Sequence, residues 1–193
     1  EALAQNLYVG AAPVPLSAYQ AQVEKQKITN EMQDADSLRR GLSGLVISEH
    51  DIRKLLPAIN AGRSVLLFGP PGNGKTTIAT RIADMFHGEI YIPHAFEVGN
   101  QIVKVYDPSI HRRSVSDEQA RSMSAANGIQ IEGFDARWVA VRRPVVMVGG
   151  ELTLDMLDLQ YDTNTKFYDA PAHVKALNGI FVIDDLGRQQ LSP

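Results

Sequence analysis

Apolar side chains recur at helical spacing in some stretches of this chain and alternate or run together in others. From Leu16 the pattern predicts a short helix, with Ser17 able to cap it and Tyr19 and Val23 four apart on one face. Residues 25–41 are polar, carrying Lys25, Lys27, Glu31, Asp34, Asp36, Arg39 and Arg40, and read as a solvated connector or exposed helix. Ser48-Glu49-His50-Asp51 has the form of a capping box, with Asp51 where Glu or Gln is usual. Ile52, Leu55, Leu56 and Ile59 follow at helical spacing until Asn60-Ala61-Gly62, although Pro57 removes one helical hydrogen bond. Ser64-Val65-Leu66-Leu67-Phe68, bounded by Gly62 and Gly69, predicts a short buried strand. Ile78, Ile82 and Met85 line one face of a helix that Gly88 stops, and Glu89-Ile90-Tyr91-Ile92 starts a strand that Pro93 ends.

Gln101 to Tyr106 and Trp138 to Val141 alternate polar and apolar residues, and Pro144 to Val148 is a further extended run. Residues 107–136 between them are polar and serine-rich. Together these predict a β-hairpin-like insertion carrying a mobile or partly helical loop. Glu151 to Leu159 predicts a short helix, Asp162-Thr163-Asn164-Thr165 a turn, and Ala170 to Leu177 a helix stopped by Asn178-Gly179. Ile180 to Ile183 predicts a buried strand that ends in Asp184 and Asp185. Residues 1–15 are loop-like, and no internal repeat is visible.

At 193 residues, 44% hydrophobic and 21% charged, the chain has the composition of an ordinary globular protein with a real core. The net charge of −3 disfavours a nucleic-acid binder that relies on overall attraction. With no cysteine, disulfides and thiolate sites are excluded. No apolar run is long enough to span a membrane and no signal peptide opens the chain, so a cytoplasmic protein is expected. The chain begins at Glu1 and stops at Leu191-Ser192-Pro193 just after a strand signal, which reads as a fragment of a longer protein.

Gly69-Pro70-Pro71-Gly72-Asn73-Gly74-Lys75-Thr76 matches G-x-x-x-x-G-K-[ST] in full, between a predicted strand and a predicted helix. Glycines let the backbone fold around an anion so that amide groups face it, and the following helix adds its positive dipole end. Pro71, Gly72, Asn73 and Gly74 would form the cradle. Lys75 would reach the β- and γ-phosphates of ATP, the Thr76 hydroxyl would ligate Mg²⁺, and Thr77 would add a hydroxyl near the α-phosphate. A phosphate loop needs an acid at the end of a neighbouring strand, and the apolar run closing in Asp184 and Asp185 is such a Walker B pattern. Asp184 would hold the metal, and Asp185 would orient or deprotonate the attacking water.

The phosphate loop with a late apolar-Asp-Asp strand resembles an AAA+ ATPase. The resemblance is nearest to a bacterial branch described as chaperone-like and associated with Flp pilus assembly. It is carried by Tyr8-Val9-Gly10-Ala11-Ala12-Pro13-Val14-Pro15-Leu16, by Gly149-Gly150-Glu151-Leu152-Thr153-Leu154, and by Ile183-Asp184-Asp185-Leu186-Gly187-Arg188-Gln189. It implies an α/β fold, the P-loop NTPase fold of the AAA+ large domain. That fold has a parallel sheet flanked by helices, here with a β-hairpin insertion and a C-terminal truncation. Residues 1–43 would be an N-terminal loop and helical linker. Residues 44–193 would be an ATPase core ending just after Walker B, with an insertion over about 94–170. The resemblance further implies an ATP- and Mg²⁺-dependent ATPase working as a ring, usually a hexamer, on a protein client. Leu45 and Val46, with Ile47, would flank the adenine or serve as core. Tyr168 to Gly179 resembles the segment before Walker B in ring ATPases with an inserted second helix. In those relatives the insertion faces the central pore, which makes the region 143–170 a candidate substrate-contact surface. Helical N-terminal domains would precede the chain. Sensor 1, the arginine finger, sensor 2 and the lid would follow it, leaving this piece poorly stable alone.

Most AAA+ proteins end Walker B in Asp-Glu. Here Asp185 is one methylene shorter, about 1.5 Å of reach, which predicts slow hydrolysis or a bridging water. Asp-Asp-Leu-Gly also resembles the Walker B of helicase loaders, so a nucleotide-switched DNA-transaction ATPase is the alternative. A small P-loop kinase is suggested by length alone. His50, His87, His94, His111 and His173 lack metal-ligand spacing and are expected in surface or local hydrogen-bond roles. Arg112-Arg113 and Arg142-Arg143 read as solvated loop charges or interface contacts. Glu151 reads as a subunit contact or a helix-terminus charge, and Trp138 as packing.

Overall fold

The computed structural model describes residues 6–70, 72–114 and 135–184. They fall into two compact units, Gln26–Gly88 and a unit formed by Glu1–Lys25 with Glu89–Pro193.

The Gln26–Gly88 unit is helical among its described residues. Helix α2 (Ala35–Gly41) starts where the Asp34 carboxylate accepts the Ser37 amide at 2.6 Å, and it buries Leu38. Helix α3 (Glu49–Asn60) starts at the predicted box. The Ser48 hydroxyl accepts the Asp51 amide at 3.2 Å and donates to the Asp51 carboxylate at 2.6 Å. Aspartate therefore closes the box side chain to side chain, where a longer acid reaches back to the cap's amide. Ile52 and Ile59 are the buried residues of α3, and Pro57 is carried within it. Asn60 holds Gln33 in both directions, accepting its amide at 2.9 Å and donating to its carbonyl at 2.8 Å. Helix α4 (Lys75–Ala83) follows the glycine loop, and the Glu31 carboxylate accepts the His87 and Gly88 amides just beyond it.

Residues 64–68 do not form the expected strand. They run without assigned secondary structure, and Val65, Leu66 and Phe68 are 43%, 67% and 89% exposed. The reason lies in pairing: a strand exists only against another strand, and the described residues of this unit supply none.

The other unit carries all the strands found among the described residues. A five-stranded sheet runs in the order β1-β3-β4-β8-β7, from strands β1 (Val14–Pro15), β3 (Ala95–Val98), β4 (Gln101–Lys104), β7 (Gln160–Asp162) and β8 (Phe167–Asp169). β1 runs parallel to β3 and β4 parallel to β8, while β3–β4 and β7–β8 are antiparallel. The β3–β4 hairpin turns at Gly99 and Asn100, both left-handed at φ 55° and 61°, the geometry whose twist suits a two-residue hairpin. β2 (Glu89–Pro93) pairs antiparallel with β5 (Trp138–Arg142), and β6 (Val145–Val148) runs parallel to β9 (Ile180–Ile183). Helix α1 (Leu16–Lys25) follows β1 directly and α5 (Ala172–Lys175) precedes β9.

The expected single parallel sheet is therefore a mixed one with two separate strand pairs. The expected pairing within the insertion is corrected as well, because the strand at 101 pairs with β3 and β8 while the strand at 138 pairs with β2. Both strands alternate in sequence, and alternation says which face is buried but not which neighbour covers it. The predicted loop falls mostly on residues 115–134, outside the described residues. The helix expected over Glu151 to Leu159 shrinks to a 3₁₀ turn at Asp155–Leu157. Strand β9 is half-buried, with Ile183 41% exposed, rather than buried.

The core of this unit gathers Val14, Tyr19, Phe96, Val103, Val105 and Ala170, with the Tyr19 and Phe96 rings stacked at 5.4 Å. Ile90, Ile92, Val139 and Val141 form a second cluster between β2 and β5. Among the described residues no helix is long and apolar enough to cross a membrane.

Candidate functional site

The glycine loop belongs to the helical unit. Gly72 and Gly74 are left-handed at φ 83° and 72°, and Gly69 has φ 153°, conformations that L side chains seldom adopt. A Cβ placed on any of the three would meet no atom within 4 Å, so the loop's glycines face open space. Gly74 is the N-cap of α4, its carbonyl taking the Ile78 amide at 2.8 Å. The first turn of such a helix carries amides that its own carbonyls do not reach, and the dipole favours an anion there.

Lys75 is half-buried and its ammonium folds back over the loop, donating to the Gly69 and Pro70 carbonyls at 3.1 and 2.9 Å. Thr76 and Thr77 are exposed in the first turn, and the Thr76 carbonyl accepts the Thr80 hydroxyl at 2.9 Å. Gly72 and Asn73 are exposed, while Pro71 lies outside the described residues. An open cradle, an ammonium resting on two loop carbonyls and an exposed hydroxyl at a helix start suit a polyphosphate and its magnesium ion.

Leu45 and Val46 sit in the turn between α2 and α3, Leu45 half-buried with its amide on the Leu42 carbonyl, Val46 fully exposed. Asp184 follows β9 in the other unit, where its amide donates to the Val148 carbonyl at 2.8 Å and extends the β6–β9 ladder. Asp185 lies outside the described residues. A cavity of about 520 Å³ in the helical unit is lined by residues away from the glycine loop, among them Arg40, Arg81, Asp84 and His87 at the carboxyl ends of α2 and α4. Cations there complement the negative helix ends.

A polar cluster in the strand-bearing unit had no signal in the sequence. Lys175, 7% exposed, donates to Asp169 at 2.7 Å and to Asp107 at 3.0 Å. His111, 1% exposed, accepts the Asp107 amide on Nδ1 at 2.9 Å, and its Nε2 lies 2.8 Å from the Lys175 carbonyl. That pattern requires the neutral tautomer with the proton on Nε2. Burial lowers the His111 pKa, and the bond to the Lys175 carbonyl and the nearby Asp107 only partly offset it. Lys175 stands more than sixty positions from Asp107 and His111, so only folding brings these two pairs together.

Three of the remaining candidates have partners within the strand-bearing unit. The Arg113 guanidinium lies 4.9 Å above the Tyr106 ring, and Arg143 donates to the Asn178 carbonyl. The Glu151 carboxylate accepts the Gly149 amide at 2.8 Å.

A glycine cradle opening into a helix, with a lysine over it, has the form of a P-loop. Residues 65–136 match the family model of AAA, the ATPase family associated with various cellular activities. The match spans less than half of the chain and implies, for that segment, a P-loop NTPase fold with ATP binding and ATPase activity. No curated protein matches the chain.

Proposed function

We propose that this chain binds ATP with Mg²⁺ at residues 69–77 and hydrolyses it to drive remodelling of a protein client, as one subunit of a ring. The observation carrying this reading is the left-handed pair Gly72 and Gly74 leading into α4 beneath the Lys75 ammonium. Catalysis by such a site is positioning and electrostatics. Gly72, Asn73 and Gly74, with Pro71, bind phosphate oxygens through the backbone. Lys75 would leave its loop carbonyls for the β- and γ-phosphates, the Thr76 hydroxyl would hold the metal and Thr77 would support the α-phosphate. The Walker B pattern of the sequence is what assigns Asp184 to the metal. When bound, Mg²⁺ neutralises phosphate charge. Asp185 takes the proton of, or orients, the attacking water, and its short side chain predicts slow turnover. Leu45 and Val46 flank the base. The resemblance to the chaperone-like, pilus-associated branch supports a protein client over a nucleic acid, in line with the net charge of −3.

The test is calorimetric titration of the chain and of Lys75→Ala with ATP and Mg²⁺, followed by turnover of Asp185→Asn. Binding lost in Lys75→Ala, with hydrolysis but not binding lost in Asp185→Asn, supports the assignment. Equal binding by wild type and Lys75→Ala refutes it.

A further inference from the structure

The strand-bearing unit contains a cleft of about 370 Å³ that the nucleotide reading does not use. Its walls include Tyr8, His94, Lys104, Tyr106 and Phe167. The rings are fixed in pairs. Tyr8 meets Phe167 edge-on at 5.7 Å, and His94 meets Tyr106 edge-on at 5.2 Å. Tyr106 is further held by the Arg113 guanidinium and by the His111 ring, stacked at 5.9 Å. The backbone is pinned as well. The Tyr8 hydroxyl donates to the Ala11 carbonyl at 3.1 Å, the Leu7 amide donates to Thr165 at 2.9 Å, and the His94 carbonyl takes both the Val105 and Tyr106 amides. These walls are built before any ligand arrives, which lowers the ordering cost of binding.

Lys104 supplies the second observation. It is half-buried on β4, its backbone is committed to the sheet, and its ammonium has no hydrogen bond or ion pair among the described residues. A partly desolvated cation beside rings favours an anion placed next to an aromatic group. The volume lies at the low end for ligand sites, which admits one ring and a short anionic neighbour and excludes a dinucleotide. Leu7 and Val9, at 66% and 95% exposed, leave apolar surface on the segment that forms one rim, as contact for residues flanking the ring in a polypeptide.

We propose that this cleft binds a protein segment with an aromatic residue next to a glutamate or aspartate, the ring among Tyr8, Tyr106 and Phe167 and the carboxylate on Lys104. The inference rests on the client reading above and gives the client a chemistry.

Four probes test it by titration into the full chain without nucleotide: N-acetyl-Glu-Phe-amide, its Gln-Phe and Glu-Ala counterparts, and phenylacetate. The expected result is binding of Glu-Phe, with Gln-Phe and Glu-Ala each weaker by about tenfold or more and phenylacetate weaker than Glu-Phe. Lys104→Met, which keeps the aliphatic stem, removes the preference for Glu over Gln and keeps the preference for Phe over Ala. Equal binding of Glu-Phe and Gln-Phe, no binding of Glu-Phe, or an unchanged Lys104→Met overturns the proposal. Phenylacetate binding as tightly as the peptide assigns the cleft to a free aromatic acid and overturns the client assignment. ATP titration of the same sample separates the two readings. Peptide discrimination without ATP binding keeps the cleft and removes the nucleotide site, and the reverse removes the cleft alone.

Discussion

Replacing Lys175 with methionine keeps most of the stem and removes the ammonium that joins two carboxylates. Burial raises the Asp107 pKa, but hydrogen bonds from Ser109 and Lys175 outweigh it and hold the carboxyl at about 2, against an ordinary 3.8. That gap corresponds to about 2 kcal/mol of stability near neutrality, shared between Ser109 and Lys175. The lysine's share is then about 1 kcal/mol. The Asp169 carboxylate is nearly half exposed, so its pair adds less than about 1 kcal/mol. The expected penalty for Lys175→Met is thus roughly 1–2 kcal/mol, or a fall in Tm of roughly 2–8 °C.

Trp138 is the chain's one tryptophan and lies on β5 in the same unit as the cluster, so urea unfolding followed by its fluorescence reports the right region. The sign with pH follows from the depressed Asp107 value. Its contribution is complete above 3.8 and disappears as pH falls toward about 2. The penalty of Lys175→Met is therefore full near neutrality and shrinks toward zero, or reverses, near pH 2. An equal penalty at both pH values, or none near neutrality, refutes the argument.

Two further perturbations probe the same unit. A Cβ on Gly179 would stand 2.1 Å from the Pro144 carbonyl oxygen, the acceptor of the Ile180 amide at the start of the β6–β9 ladder. Gly179→Ala must part these strands at a cost of about 3 kcal/mol or more, and an unchanged urea midpoint would refute the packing. The His111 pKa is lowered from 6.5, chiefly by burial. Between that lowered value and 6.5 the unfolded chain binds more protons, so stability declines as pH falls below about 6.5. His111→Gln should remove this part of the pH dependence, and an unaltered slope between neutrality and pH 5 would show that His111 is not its source.

What the sequence determined by itself is local. The start of α3 was legible in Ser48 and Asp51, and α4 in the glycines before Lys75 and the spacing of Ile78 and Ile82. Cap hydrogen bonds, left-handed glycines and helical periodicity involve residues within a few positions of one another. The hairpin at Gly99 and Asn100 is just as local, but its first strand, Ala95–Val98, is too short to carry a periodic signal of its own. Partnership between strands was decided by the tertiary structure alone. The alternation from Gln101 to Tyr106 fixes a buried face, while the choice of β3 and β8 as neighbours depends on chain closure far along the sequence. Residues 64–68 show the limit from the other side, since their apolar run has strand character but no strand in its unit to pair with. The junction of Asp107, His111, Asp169 and Lys175, and the rings around Lys104, belong to the same class. Each member is unremarkable in sequence and acquires its chemistry only when folding removes water from around it and places a distant partner within hydrogen-bond reach.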